Sequence, residues 1–121
     1  MNKEVSNIAS LAIVIPAWKA AFFPQALDSI ARQTDADFHV YIGDDAGAPE
    51  LSGLVEKHLA NVPHTYHRFD SNLGRTDLVA HWARCLDLTR GEEWIWLFSD
   101  DDVMDPHCVE AFFFFNDTAT T

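Results

Sequence analysis

Apolar and polar positions along the chain alternate between two periods. Leu11-Ala12-Ile13-Val14-Ile15 is an unbroken apolar run ended by Pro16. That is the pattern of a strand covered on both faces, as in a parallel sheet. Phe23, Ala26, Leu27, Ile30 and Ala31 then recur at helical spacing, with Pro24 near the start, and predict a first helix. Phe38-His39-Val40-Tyr41-Ile42 reads as a second strand, stopped by Gly43. Pro49 opens a second helix with Leu51, Leu54, Val55 and Leu59 on one face. Thr65 to Phe69 is a weaker third strand, expected nearer a sheet edge, and Asp70 to Arg75 is a polar loop. Leu78, Val79, Trp82, Cys85 and Leu86 mark a third helix, with Gly91 punctuating its end. Trp94-Ile95-Trp96-Leu97-Phe98 is the strongest strand of all and ends abruptly at Ser99-Asp100-Asp101-Asp102. Asp105-Pro106 has the chemistry of a helix cap followed by a first helical position.

Strand and helix alternate four times. That argues for a single α/β domain with a mostly parallel sheet flanked by helices. Residues 1–10 are polar and expected to be disordered. The far end is anomalous. Four successive phenylalanines, Phe112 to Phe115, suit neither an amphipathic helix nor a surface, and Asn116 to Thr121 has the look of a translated sequencing adapter. The expected boundaries are therefore a domain over 11–112, incomplete at its C-terminus, and a foreign tail over 113–121.

Charge changes the picture more than size does. The 121 residues hold one small domain, and 48% apolar against 22% charged positions is an ordinary globular balance. Yet 19 acidic residues face 8 Lys and Arg, a net of −11. No basic stripe offsets this, so nucleic acid is excluded as a partner. A phosphorylated ligand stays compatible if a divalent cation lies between. Cys85 and Cys108 sit in no zinc-binding spacing and read as reduced thiols of a cytoplasmic protein. No secretory signal is present, and no apolar run approaches the roughly 20 residues of a membrane span.

In open α/β sheets ligands bind outside the carboxyl ends of the strands. Here those ends carry Pro16-Ala17-Trp18, Gly43-Asp44-Asp45-Ala46-Gly47 and Ser99-Asp100-Asp101-Asp102. Three adjacent carboxylates repel one another unless a cation or hydrogen-bond donors offset them. Their hard oxygens suit Mg²⁺ or Mn²⁺, which take one or two protein carboxylates and complete the shell with phosphate and water. The competing reading is a solvated turn with one Asp capping the next helix, and capping is preferred for Asp105. Asp44 and Asp45 either accept hydrogen bonds from a base or ribose or form an acidic turn. Trp18 either stacks on a base or packs under a loop. The six histidines show no ligand pattern, since His64 and His67 fall on opposite faces of a strand, although His81 merits notice. No P-loop, Gly-x-Gly-x-x-Gly or Gly-x-Ser-x-Gly occurs.

The segments Leu11 to Trp18, Ala26 to Gln33, Tyr41 to Asp45, Asn72-Leu73-Gly74, Trp82 to Leu86 with Gly91-Glu92, and Phe98 to Pro106 follow one another at ordinary spacing. Together, over about residues 10–112, the chain resembles family 2 glycosyltransferases. The resemblance implies a nucleotide-diphospho-sugar-binding half of GT-A type, Rossmann-like in architecture. It implies that Pro16, Trp18 and Asp45, with Asp44 beside it, hold the nucleoside. Trp18 stands where the family usually has Tyr, keeping the stacking face without the hydroxyl. The family's Asp-x-Asp motif falls on Asp100, Asp101 and Asp102. Asp101 is then the best metal ligand, Asp100 faces the ribose, and Asp102 supports the metal or the sugar. Asn72, Gly74 and Arg75 lie in the loop approaching the nucleotide, with Arg75 toward phosphate.

The implied cofactor is Mn²⁺ or Mg²⁺, and the implied donor is a sugar on a nucleoside diphosphate of the uridine type. The acceptor hydroxyl, on a saccharide, a lipid-linked molecule or another compound, is unspecified. The implied reaction is inverting transfer, assisted by a carboxylate base in the family's second half. Asp105 and Glu110 lie too close to the metal motif for that role, so this chain is expected to bind donor and metal only. The expected location is the cytoplasm or the inner face of the membrane. Two rivals remain at this point. A receiver-type signalling domain has this length, but its acidic pair ends strand one, where this chain has Pro16-Ala17-Trp18. A non-catalytic nucleotide-binding module would keep the same site without transfer.

Overall fold

The computed structural model describes residues 8–119. In chain order it contains β1 (Leu11–Ala17), α1 (Phe23–Ala31), β2 (Phe38–Asp44), α2 (Leu51–His58), β3 (His64–Arg68), α3 (Leu78–Leu86), β4 (Trp94–Leu97) and α4 (Cys108–Ala119). The four strands form one sheet in the order β3-β2-β1-β4, every pairing parallel. Each element expected from the hydrophobic pattern is present, and β3 lies at an edge. Of the segment expected to be disordered, residues 1–7 lie outside the described residues. Ser10 closes its end, donating its hydroxyl to Asp37 at 2.7 Å while its carbonyl accepts from Trp94 N at 3.0 Å.

β1 is central, and its apolar run has no polar face because both faces are covered. Leu11, Ile13, Ile15 and Ala17 enter the larger core with Phe23, Leu27 and Ile30 of α1, Leu51 and Val55 of α2, and Val109 of α4. Ala12 and Val14 point the other way, into a thinner layer with Tyr41 of β2 and Cys85 of α3. That layer is thin for a definite reason. A Cβ built on Gly43 would lie 2.3 Å from Cys85 Sγ, so glycine here lets α3 approach the sheet. Gly43 therefore lies inside β2, which runs on to Asp44, rather than stopping it.

Two further details differ from the pattern. α3 ends at Leu86, and the amides of Leu88 and Thr89 turn back to the carbonyls of Cys85 and Leu86. Gly91, with φ of 99°, serves the later turn into β4 rather than the helix end. β4, the most apolar run, is a short edge strand. Trp94 and Trp96 pack edge-on against Phe112 of α4, with ring centroids 5.4 and 5.1 Å apart. Ile95 and Leu97, on the α3 side, stay 46% exposed, because α3 leans over β1 and β2. Among the described residues no helix is long and apolar enough to cross a membrane.

Candidate functional site

The chain winds from β1 through β2 to β3 and then returns to place β4 on the other side of β1. Strand order reverses between β1 and β4, and a crevice opens there at the carboxyl ends. Pro16 helps to open it. Phe98 N donates to Val14 O at 2.8 Å, so Val14 faces β4. Residue 16 is the next to face that way, and proline has no N–H with which to continue the ladder. The resulting cavity has a volume of about 390 Å³ and draws its walls from all four strand ends and from α3. Of the residues expected at the site, Pro16, Trp18, Asp45, Asn72, Gly74, Arg75, Asp100 and Asp101 line it. Asp44 and Asp102 do not.

Asp45 is the most constrained of these side chains, only 4% exposed. Its Oδ1 accepts from Leu73 N at 2.7 Å and from Arg84 Nη2 at 2.6 Å, and its Oδ2 accepts from Gly74 N at 2.9 Å. The Asn72 amide donates to the Asp45 carbonyl at 3.0 Å, and its oxygen accepts from Arg75 N at 3.0 Å. One carboxylate thus shapes the whole loop after β3. A Cβ on Gly74 would come within 2.7 Å of Asp45 Oδ2, so this loop can approach only with glycine there.

Asp44 points to the opposite face, as strand period requires. It is fully buried and accepts from Tyr66 Oη, from Arg68 Nη1 at 2.8 Å and from Gly47 N at 2.8 Å. Burial and then the Asp44 hydrogen bond push the Tyr66 hydroxyl up to about 12. Gly47, held by Asp44, lies under Trp18, where a Cβ would sit 2.3 Å from the Trp18 carbonyl oxygen. Asp44 therefore acts on the loop packed against the Trp18 backbone and not on the cavity. Trp18 is 43% exposed, with Lys19 Nζ 5.6 Å from its ring centroid.

At the end of β4 the three aspartates divide their tasks. Asp100 Oδ2 accepts from the amides of Trp18 at 2.9 Å and Lys19 at 3.1 Å, stapling the β1 loop across the crevice. Asp101 accepts from Ser99 Oγ at 2.7 Å, and Asp102 from Ser99 N at 3.3 Å. Asp105 accepts from His107 N at 2.9 Å, but α4 begins only at Cys108, so this contact closes the turn before the helix and Pro106 is not a helical position. Among the described residues no three His, Cys, Asp or Glu side chains converge as a metal cage. The donor set fits a different arrangement. Asp101 is exposed on the cavity rim with hard oxygens and no cationic partner among the described residues. Mg²⁺ and Mn²⁺ accept one or two such carboxylates when a ligand's phosphates and water complete the shell.

Lys19, Leu78, His81, Trp82 and Ser99 also line the cavity, and Arg84 stands behind it. Leu78, His81, Trp82 and Cys85 recur at helical spacing, a signal that marks a face of α3 but not that part of it borders a crevice. His81 is 2% exposed, and burial first, then Arg84, holds its pKa below the ordinary value against the pull of Asp45. Lys19 and Arg75 bring the cavity two cations that form no ion pair among the described residues.

A parallel α/β sheet whose crevice, at the strand-order reversal, is lined by an aromatic, a fixed carboxylate and an acidic turn has the ligand site of the open, doubly wound α/β class. The sequence profile of Glycosyl transferase family 2 matches residues 12–117, and the chain belongs to that family. Solved structures share the GT-A architecture. S. aureus TarS superposes with a TM-score of 0.80 at 19% identity, covering 90% of this chain and 20% of TarS. The S. aureus TarS 1–349 complex with UDP-GlcNAc gives 0.80 and 19%, covering 90% of this chain and 31% of the other. The Pyrobaculum calidifontis mannosyltransferase PcManGT, in complex with GDP-Man and Mn²⁺, gives 0.66 and 16%, covering 78% and 28%. This chain thus spans about a third or less of the solved chains it matches. No curated protein sequence matches it.

Proposed function

We propose that this chain is the donor half of a glycosyltransferase and binds a nucleotide-diphospho-sugar of the uridine type in the crevice between β1 and β4. The observation that carries the reading is Asp45. It is held by three donors on the cavity wall, with an Oδ2 lone pair left for a base N–H. The exposed Trp18 face lies at the same cavity and suits stacking on that base. Lys19 and Arg75 suit the diphosphate. Asp100 holds the β1 loop at the ribose end of the crevice. Asp101, supported by Asp102, would hold Mn²⁺ or Mg²⁺. Such an ion, when bound, supplies Lewis-acid stabilisation of the diphosphate leaving group.

Transfer in this reading goes to an acceptor hydroxyl with inversion. In this reading neither Asp105 nor Glu110 is its base, since both lie close to the metal motif and hold other partners. Asp105 accepts from His107 N, and Glu110 accepts from Thr34 Oγ1 at 2.5 Å. The site belongs to the segment 11–112, with 113–121 a foreign tail, and resequencing the source DNA through codon 112 tests that boundary. The location that goes with this reading is the cytoplasm or the inner face of the membrane.

The direct test is thermal unfolding with uridine diphosphate, then with guanosine and deoxythymidine diphosphates, each with and without Mn²⁺. A ligand that binds only the folded state raises the midpoint. The expected result is a rise with uridine diphosphate that needs the metal and vanishes in Asp101→Asn. A metal-independent rise would instead favour a non-catalytic nucleotide-binding module. No rise with any of the three would end the nucleotide reading.

A further inference from the structure

Asp45 and His81 stand side by side on the cavity wall in an arrangement that neither could keep alone. His81 Nδ1 lies 3.5 Å from Asp45 Oδ1. The unassisted outcome is a proton on Nδ1, donated to the carboxylate. Arg84 occupies that place instead. Its Nε donates to His81 Nδ1 at 3.0 Å, and its Nη2 donates to Asp45 Oδ1 at 2.6 Å. Arginine has no acceptor and keeps its protons, so Nδ1 must be the bare nitrogen and the imidazole proton must sit on Nε2. Nε2 turns inward, 3.5 Å from Cys85 Sγ. The guanidinium is itself fixed twice more, donating to Ser71 O at 3.0 Å and lying 4.0 Å from the Phe69 ring centroid.

We propose that Arg84 is the positioning residue of this site: from behind the wall, its fork sets the Asp45 carboxylate and fixes His81 as the Nε2–H tautomer. The wall then offers a ligand one acceptor, Asp45 Oδ2, beside an uncharged ring that has no free nitrogen. Only the ligand's identity rests on the function proposed above. The bridging of Asp45 and His81 is independent of it. The charged and polar groups facing His81 are Asp45 and the Gly43 carbonyl from the end of β2, and Arg84 and Cys85 from its own helix, while Asp44 acts on it only as a charge from the other face of the strand. With Arg84 removed, the Asp45 carboxylate is left to draw a proton onto Nδ1.

Long-range ¹H–¹⁵N correlation spectra of the histidine rings, combined with uridine diphosphate titrations in Mg²⁺ across the imidazole range, test this. They would be recorded on the parent chain, Arg84→Gln and Arg84→Lys. The parent should show His81 as Nε2–H alone and a flat affinity profile around pH ~6.5. Arg84→Gln should move the His81 proton to Nδ1, weaken nucleotide binding about tenfold, and make affinity bend near the imidazole pKa. Arg84→Lys keeps the charge and a donor-only group but has no fork, so it cannot bridge Asp45 and His81 at once and should weaken binding less than Arg84→Gln. An unchanged His81 tautomer in folded Arg84→Gln would overturn the proposal even if nucleotide still bound. A shifted tautomer in a chain that takes up no nucleotide would sustain Arg84's role and remove the donor reading alone.

Discussion

The carboxyl ends of β2 and β4 have nearly the same composition and opposite electrostatic states. Asp44 and Asp45 are buried, and each is matched by a guanidinium, with one backbone amide on Asp44 and two on Asp45. Asp101 and Asp102 are exposed and share one serine. Asp100 lies between these conditions, bound by two amides and no cation. The difference teaches that an acidic cluster is not one kind of site. A carboxylate whose charge is already answered by the protein serves as a fixed acceptor. One whose charge is unanswered has capacity left for a cation.

The largest effect is expected from breaking the answered end. Asp45→Ala removes the partner of Arg84 and of two loop amides, and should lower unfolding free energy by about 3 kcal/mol in urea titrations. It should also abolish any nucleotide-induced rise in melting temperature. Asp44→Asn should lower stability by about 2 kcal/mol yet change uridine diphosphate affinity by less than about threefold. Equal loss of affinity in the two variants would erase the distinction between the neighbours. At the unanswered end, Asp101→Asn should leave stability within about 0.5 kcal/mol while removing the metal-dependent part of nucleotide binding.

The smallest expected effect is of pH. Burial, ahead of the nearby charges, lowers the pKa values of His39 and His81 below the ordinary histidine value of 6.5. The unfolded chain therefore binds protons there that the folded chain does not. Stability from these two residues is present above pH 6.5 and is lost as pH falls through their lowered folded values. Burial raises the Glu92 pKa, but hydrogen bonds from Tyr41 Oη and from backbone amides outweigh it and leave the value below 4.5. Its contribution is present above pH 4.5 and is lost as pH falls through its folded value. Urea midpoints measured on both sides of pH 6.5 should decline toward acid, and a rise would contradict both histidine assignments.

Much of this was legible in the residues because local pattern and tertiary position agree along β1, α1 and β2. The run Leu11 to Ile15 needs two covered faces, and only a central strand supplies them. The run Trp94 to Leu97 is as apolar, yet it is an edge, because strand order is a property of the whole sheet. The carboxylate ends could be located, but the division between Asp44 and Asp45 could not. Both are Asp, and which one faces the crevice depends on the strand running two residues past Ile42. Arg84 gave no signal of its own, since its meaning comes from Asp45 and His81, 39 and 3 residues away.

Gly43 and Cys85 have a consequence for how this sequence can drift. A methyl group at 43 would overlap the thiol and crowd Phe69, 3.2 Å away. Neither position can therefore enlarge by itself. Alanine at 43 demands a smaller residue at 85, and a larger residue at 85 demands that α3 withdraw. Withdrawal would carry His81 and Arg84 with it, so a change in the least chemically active corner of the domain would be read out at the cavity wall. Among descendants or designed variants of this chain, the two positions should change as a pair or not at all.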